Sequence, residues 1–517
     1  MLDKYFKKNI HQTIQFIACI GIAIGLPWSK IPLSLATMLL GLNVILLNDW
    51  KKVFSVWFSN KILLFLIAFV VFEWLSLLWS ANLTYGLDDV RRKLPLLVLP
   101  LCISVIPLTK VQWKWIALFF LGSLLITTGI NYAYFVKWIG NKSYLDYRNI
   151  SLFISHIRLA LLLVAGIVIC VFWWIKKEQL RFLTIPLIAW FIFYTNISQV
   201  GFGYVGLGIC VLFAFYLFIL TRKKAILKYG LLVLASISIV FVGFLLFTNL
   251  QPIPQKVKYI QEPKFTKSGN PYTFSKEPFW ENGYPIMAFI NEEELKIAWE
   301  KRSKLNYETG EGDKQLKFII WHFMASKNLH KDKEGVAQLS DKEIKAIEER
   351  IPSVVMLKGG FNARFYEIRN QLADTEPDGK SLLMRLIYFK LGWQITKENF
   401  PFGVGSGDVQ DAFNAKYANN SFGLSKEYWN RAHNQYLTVL ISSGIIGFIL
   451  FLLIWFAIIR TSFKSKHYLF ALLTVIVLSS FLSEDTLESQ TGVTIAAFLI
   501  GAFINFSKIQ INRDSIR

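Results

Sequence analysis

The sequence predicts an all-α polytopic membrane protein, with about twelve membrane-spanning helices and a large, mainly helical hydrophilic domain between the ninth and tenth. Three observations predict it. Of the 517 residues, 54% are apolar and 16% aromatic, too apolar for a soluble chain of this length. Apolar runs of membrane-crossing length recur along the chain. The loops on one side of those runs are consistently basic and nearly free of acids.

In chain order the candidate spans are roughly 12–28, 31–48, 61–80, 93–109, 113–134, 157–175, 182–197, 199–220, 228–250, 435–459, 466–482 and 490–507. The first run, from about Ile14 to Trp28, lacks a small-residue cleavage site and reads as a retained helix. The fourth holds Pro95, Pro100 and Pro107 and is expected to be broken or partly interfacial. The seventh and eighth form a tight hairpin. With the N-terminus inside, the inner loops carry clusters such as Lys51-Lys52, Lys176-Lys177 and Arg222-Lys223-Lys224, and the C-terminal tail adds Lys508, Arg513 and Arg517. An even number of spans then places both termini on the cytoplasmic side and the large loop outside.

The expected division is a membrane domain over 1–250, a helical outer domain over 251–434 and a second membrane domain over 435–517. Within the outer domain, Asn291–Tyr307 and Lys314–Leu329 have helical apolar spacing. Ser340-Asp341-Lys342-Glu343 reads as a capping box opening a helix through Arg350. Lys380–Asn399 is an amphipathic helix ended by Phe400-Pro401-Phe402-Gly403-Val404-Gly405. The net charge of +21 does not signal nucleic acid, because it is spread over short loops rather than along one face. The four cysteines all fall in apolar runs, which argues against disulfides and a cysteine metal site. No Walker loop, dinucleotide fingerprint or zinc-ligand spacing is present, so no cofactor is expected.

The outer boundary holds the chemically informative residues. His433 ends the hydrophilic segment immediately before the tenth span, where an imidazole can meet both water and a lipid-borne group. Asn434 follows it. Gly444 and Gly447 lie inside that span, where small residues let helices approach closely. Arg158 opens the sixth span on the outer side, against the charge rule. Its planar guanidinium suits phosphate oxygens, although simple snorkelling would place it there too. Arg385 is a lone charge among apolar residues and reads either as a phosphate ligand or as one half of an ion pair. Arg91 and Arg92 could hold lipid phosphates or pair with Asp88 and Asp89. Glu484, Asp485 and Glu488 link the last two spans; they could hold a divalent cation, pair with the arginines or contact sugar hydroxyls.

His433-Asn434, nine residues, then Gly444-x-x-Gly447 resembles the signature of the O-antigen ligase and O-antigen polymerase superfamily. Arg158-x-x-x-Leu162 is similar to a second element of that family. Arg385, an aromatic at Phe389, and Pro401-x-Gly403-x-Gly405 are similar to a third. A Ser-Arg pair common in the family is missing, since the seventh-to-eighth hairpin reads Ser198-Gln199-Val200-Gly201. The resemblance implies a GT-C-like glycosyltransferase of the bacterial inner membrane that uses an undecaprenyl-diphosphate-linked glycan. It implies His433 as base and Arg158 and Arg385 as cations that stabilise the departing diphosphate without metal, with inversion at the anomeric carbon. Arg91, Arg92 and Asn434 are further candidate substrate contacts. The acceptor would be lipid A–core for a ligase, another lipid-linked unit for a polymerase, or a protein hydroxyl. A lipid-linked oligosaccharide flippase or exporter is the reading from a different class. It would need charges lining a central cavity within the spans.

Overall fold

The structure is a computed structural model that describes residues 2–140, 150–179, 181–220, 226, 230, 233, 253–254, 263–275, 279–310, 315–357, 365–366, 368–370, 377–419 and 423–514. It is mostly helical. Contacts divide it into two units, one of residues 1–142, 147–218 and 385–517, the other of residues 143–146 and 219–384. The stretch 385–434, expected at the end of the outer domain, thus packs with the first unit.

Among the described residues, eight helices are long and apolar enough to cross a membrane, and they coincide with spans two, three, five to eight, ten and twelve. Spans one and eleven correspond to shorter apolar helices, Ile10–Gly25 and Tyr468–Ser480. The ninth, 228–250, falls almost wholly outside the described residues. In the first unit the chain runs through α1 (Leu2–Gly25), α2 (Lys30–Leu47), α3 (Trp50–Ser59), α4 (Lys61–Leu75), α5 (Leu83–Val105), α6 (Lys110–Phe135), α7 (His156–Ile175), α8 (Arg181–Ser198) and α9 (Gly201–Leu220). The short helix α3 lies between spans two and three, where the sequence leads one to expect a loop carrying Lys51-Lys52. Asp49 starts it by accepting from the amide of Lys52.

The fourth span requires a correction. It is neither broken nor confined to 93–109. Helix α5 starts ten residues earlier, where the Asn82 side chain accepts from the amide of Tyr85, and runs through Pro95 and Pro100. Asp88, Asp89, Arg91 and Arg92 are therefore helical rather than in a loop. Their three- and four-residue spacing lets them pair with one another.

The second unit has its own core. Helices α10 (Glu292–Arg302), α11 (Leu316–Ser326), α12 (Lys333–Ala337), α13 (Asp341–Glu348) and α14 (Val354–Leu357) surround Leu295, Trp299, Tyr307, Ile320, Phe323 and Ile347. Ser340 and Glu343 form the expected reciprocal cap. The helix expected over Asn291–Tyr307 stops earlier, at Arg302. There Ser303 turns extended, and its hydroxyl donates to Glu348.

The chain then returns to the first unit through α15 (Ser381–Glu398), α16 (Val409–Asn419), α17 (Gln435–Lys464), α18 (Tyr468–Ser480) and α19 (Gln490–Asp514). Helix α17 packs on α4, and α19 packs on α5. Gly444 breaks α17 with φ +61° and ψ −160°. The break frees carbonyls that would otherwise sit unpaired in an apolar setting. The turn after α15 satisfies them: the amides of Val404 and Gly405 donate to Ile441 and Ser442 (2.8 and 2.9 Å), and the amide of Ile445 donates to Pro401 (2.9 Å). A Cβ on Gly444 would run into the carbonyl of Pro401, and one on Gly403 would lie 2.5 Å from that of Ile441. Gly444 therefore serves a backbone-to-backbone docking rather than the helix–helix approach read from its spacing. Gly405, with φ +89°, lets the same turn press on Ser76 and Ser80 beyond α4.

Candidate functional site

Three stretches far apart in sequence meet at the carboxylate of Glu484. His433 Nδ1 lies 3.8 Å from Glu484 Oε2, and Arg385 Nη2 lies 3.6 Å from Glu484 Oε1. Arg158, at the start of α7, is close enough for its charge to act on the same carboxylate. The side chains of His433 and Arg385 remain about one-third exposed (34% and 38%), so a ligand can reach both. Burial alone would raise the Glu484 carboxyl. His433, Arg385 and Arg158 outweigh it and hold the group below its ordinary range. Two permanent cations and an imidazole thus face one carboxylate, which leaves an excess of positive character.

The linker between α18 and α19 fixes His433. Asp485 is buried and accepts from the backbone amides of His433 (3.1 Å) and Asn434 (2.9 Å) and from the Thr438 hydroxyl (2.7 Å). This pins His433 in the left-handed region, at φ +46°, where a non-glycine residue needs such support. Burial, aided by Glu488, outweighs Arg431 and leaves the Asp485 carboxyl above the usual range. Gln435 adds to the hold: its amide donates to Phe481 and its side-chain oxygen accepts from Leu487. From the other side the Tyr388 ring stacks on the imidazole, with centroids 5.5 Å apart and planes 30° apart.

Behind the site lies a buried charge cluster. Lys93 Nζ sits 2.8–3.1 Å from Asp89, Glu73 and Glu488, and Arg431 Nη1 sits 3.1 Å from Glu488. Burial would raise Glu488, but Lys93 and Arg431 hold it well below its ordinary range. The three linker acids therefore do not converge on one point. Glu484 faces the arginines and His433, Asp485 holds backbone, and Glu488 neutralises the buried cations.

The remaining expected residues fall as follows. Arg91 and Arg92 pair with Asp88 at 2.6 and 3.3 Å. Asn434 caps α17, accepting from the amide of Leu437, and donates to the carbonyl of Leu482. Leu162 is buried. Phe389 is 53% exposed, and the aromatic that reaches His433 is instead Tyr388, three residues after Arg385. That helical spacing was the only sequence signal for Tyr388. Lys93 and Glu73 gave none beyond being charges beside or within apolar runs.

Residues 351–452 match the family model described as O-antigen ligase, Wzy_C. The match covers α15, the glycine turn, His433 and the broken half of α17, so the resemblance read from those motifs holds there. A search of curated proteins found no match.

Proposed function

With the O-antigen ligase domain at 351–452 as premise, we propose that the chain is a membrane glycosyltransferase that moves a glycan from undecaprenyl diphosphate to an acceptor hydroxyl, as an O-antigen ligase acting on lipid A–core at the outer face of the inner membrane. The supporting observation is the convergence of His433, Arg385 and Arg158 on Glu484. Nδ1 of His433 faces Glu484, which leaves Nε2 to take the proton of the acceptor hydroxyl. The acceptor oxygen then bonds to the anomeric carbon as the bond from that carbon to the diphosphate oxygen breaks, inverting the configuration. The departing diphosphate carries away the electron pair, and Arg158 and Arg385 stabilise its growing charge. Glu484 keeps the two guanidiniums and the imidazole oriented before substrate arrives.

The test is transfer by purified protein in detergent, with undecaprenyl-diphosphate glycan, lipid A–core and EDTA. Glycan should join lipid A–core in wild type and be lost in His433→Ala, Arg158→Ala and Arg385→Ala. Longer lipid-linked glycan instead would make the protein a polymerase using the same groups. No transfer to either acceptor, or full activity in the variants, would refute the reading and move it toward transport.

A further inference from the structure

Helix α15 presents three faces. Tyr388, Leu391, Gly392 and Ile395 are buried, and Gly392 packs against Leu437 of α17 and Phe413 of α16. Leu386, Phe389 and Trp393, three and four residues apart, share a second face and are 46–55% exposed. Lys390 and Lys397 are exposed along the border of that face, with Lys397 over the Trp393 ring at 5.8 Å from its centroid. Glu398 lies beyond them and pairs with Lys416 of α16 at 2.6 Å. The turn after the helix adds Phe400 and Phe402, at 65% and 58% exposed. Large apolar side chains gathered and exposed in this way mark an interaction surface.

Helix α17 fixes the depth of the turn. The Cα of Phe402 lies 2.8 Å from where a Cβ on Gly444 would stand. Arg460 is the first charge along the chain after His433. A hydrocarbon layer about 30 Å thick takes about twenty helical residues, so a count back from Arg460 sets its other boundary near Leu440. Gly444, with Phe402 against it, then lies about 6 Å inside. Ile446, Ile449 and Phe456 are exposed from that depth onward, on a helix long and apolar enough to cross a membrane.

We propose that α15 and its turn form a membrane-surface element that lies in the leaflet on the His433 side. Leu386, Phe389 and Trp393 rest on acyl chains, Phe400 and Phe402 reach below them, and Lys390 and Lys397 extend to lipid phosphates. Continuity with the exposed stripe of α17 selects acyl chains as the occupant of the apolar face. Two lysines at its border suit anionic head groups, because their stems lie along apolar surface while the ammonium reaches outward. The stretch 385–405, expected in the hydrophilic outer domain, then belongs with the bilayer. Arg385 and Tyr388 stand on the same helix, so the leaflet holds the side chains that meet Glu484 and His433 at head-group level, whatever reaction they serve.

The test is spin-label accessibility in the full chain, reconstituted in vesicles of phosphatidylethanolamine and phosphatidylglycerol. Cys19, Cys102, Cys170 and Cys210 are changed to alanine, and single cysteines are placed at exposed positions. Oxygen concentrates in hydrocarbon and a nickel chelate stays in water, so the ratio of the two accessibilities reports depth. Ile449→Cys on α17 is the lipid reference, and Lys342→Cys, exposed on α13, is the water reference. Phe389→Cys, Trp393→Cys and Phe402→Cys should each give a ratio several-fold above that of Lys342→Cys, with Phe402→Cys the nearest to Ile449→Cys. A ratio at Phe389 or Phe402 equal to that of Lys342→Cys would overturn the proposal. So would spin–spin broadening at Phe389→Cys that disappears on dilution with unlabelled protein, since a second copy of the chain would then cover the face. A second measurement keeps the natural cysteines. Phe402→Asp should lower the apparent unfolding temperature in the same vesicles well below that of Phe402→Ala, because a carboxylate at that depth meets hydrocarbon. Equal temperatures for the two variants would place Phe402 in water and sink the proposal. Neither measurement involves glycan transfer, so the outcome is independent of the transferase reading.

Discussion

Glu484 is the residue on which the candidate chemistry turns, because among the described residues it is the one carboxylate facing His433 and both arginines. Its carboxyl lies below the ordinary range, so the sign of its pH linkage is fixed. The stability it contributes is present above its unfolded pKa of about 4.3 and is lost only as pH falls through the lower folded value. The cluster therefore stays assembled through neutral pH. Glu484→Gln should lower kcat/KM by about tenfold in the transfer assay, because it takes away the charge that holds the two guanidiniums and the imidazole together. An unchanged kcat/KM would show that Glu484 does not position the site. Asp485 acts differently, since it touches the backbone of His433 rather than its ring. Asp485→Ala should lower kcat by about tenfold or more, because it loosens the placement of the base without altering the charge at Glu484.

At the scale of elements, the site depends on a helix that is broken where a turn docks. Gly444 occupies a conformation nearly confined to glycine, and the Pro401–Gly405 turn fills the gap. Gly444→Ala should cost at least about 1–3 kcal/mol, read as a fall in apparent unfolding temperature, because strain adds to the collision with Pro401. Gly41→Ala, where a Cβ meets nothing within 4 Å, should leave that temperature unchanged or raised. The buried cluster carries a larger penalty. Lys93→Met removes the cation shared by Glu73, Asp89 and Glu488 and should destabilise the protein by about 3–5 kcal/mol. An unchanged unfolding temperature would mean that the acids are not charged together. These two devices were largely illegible in the sequence. His433, Arg158 and Arg385 stood out because each is a charge or an imidazole at the edge of an apolar run, and hydropathy registers that directly. Gly444 looked like a packing glycine because spacing carries no dihedral angle. Lys93 stands in the sequence only as the first residue of the fourth span, because hydropathy does not carry the helical start at Asn82, which is a capping contact. The spans were the most legible part, since length and apolarity alone decide them.

At the scale of the whole molecule, every residue of the candidate site lies in the first unit, while the second has a core of its own. That core closes on itself through polar contacts as well as apolar ones. Arg302 pairs with Asp341 and donates to the carbonyl of Val336, Trp321 donates to the Tyr307 hydroxyl, and Lys331 donates to the carbonyls of Pro285 and Ala288. A fragment of residues 263–370 should therefore fold without the membrane helices and unfold cooperatively when followed by circular dichroism. Within it, Trp299 is fully buried, and Trp299→Ala should remove about 3–5 kcal/mol. A fragment with no thermal transition would show that this core depends on the first unit. If the fragment folds, the complementary experiment gains a sharp meaning. The full chain with 251–380 replaced by a short flexible linker retains Arg158, Arg385, His433 and Glu484, and should still bind lipid diphosphate. Whether it then transfers glycan separates two roles for the second unit. Full transfer would rule out any catalytic part for it, whereas binding without transfer would place it in presenting the acceptor, for which His433 at the reacting hydroxyl is the first unit's assigned contact.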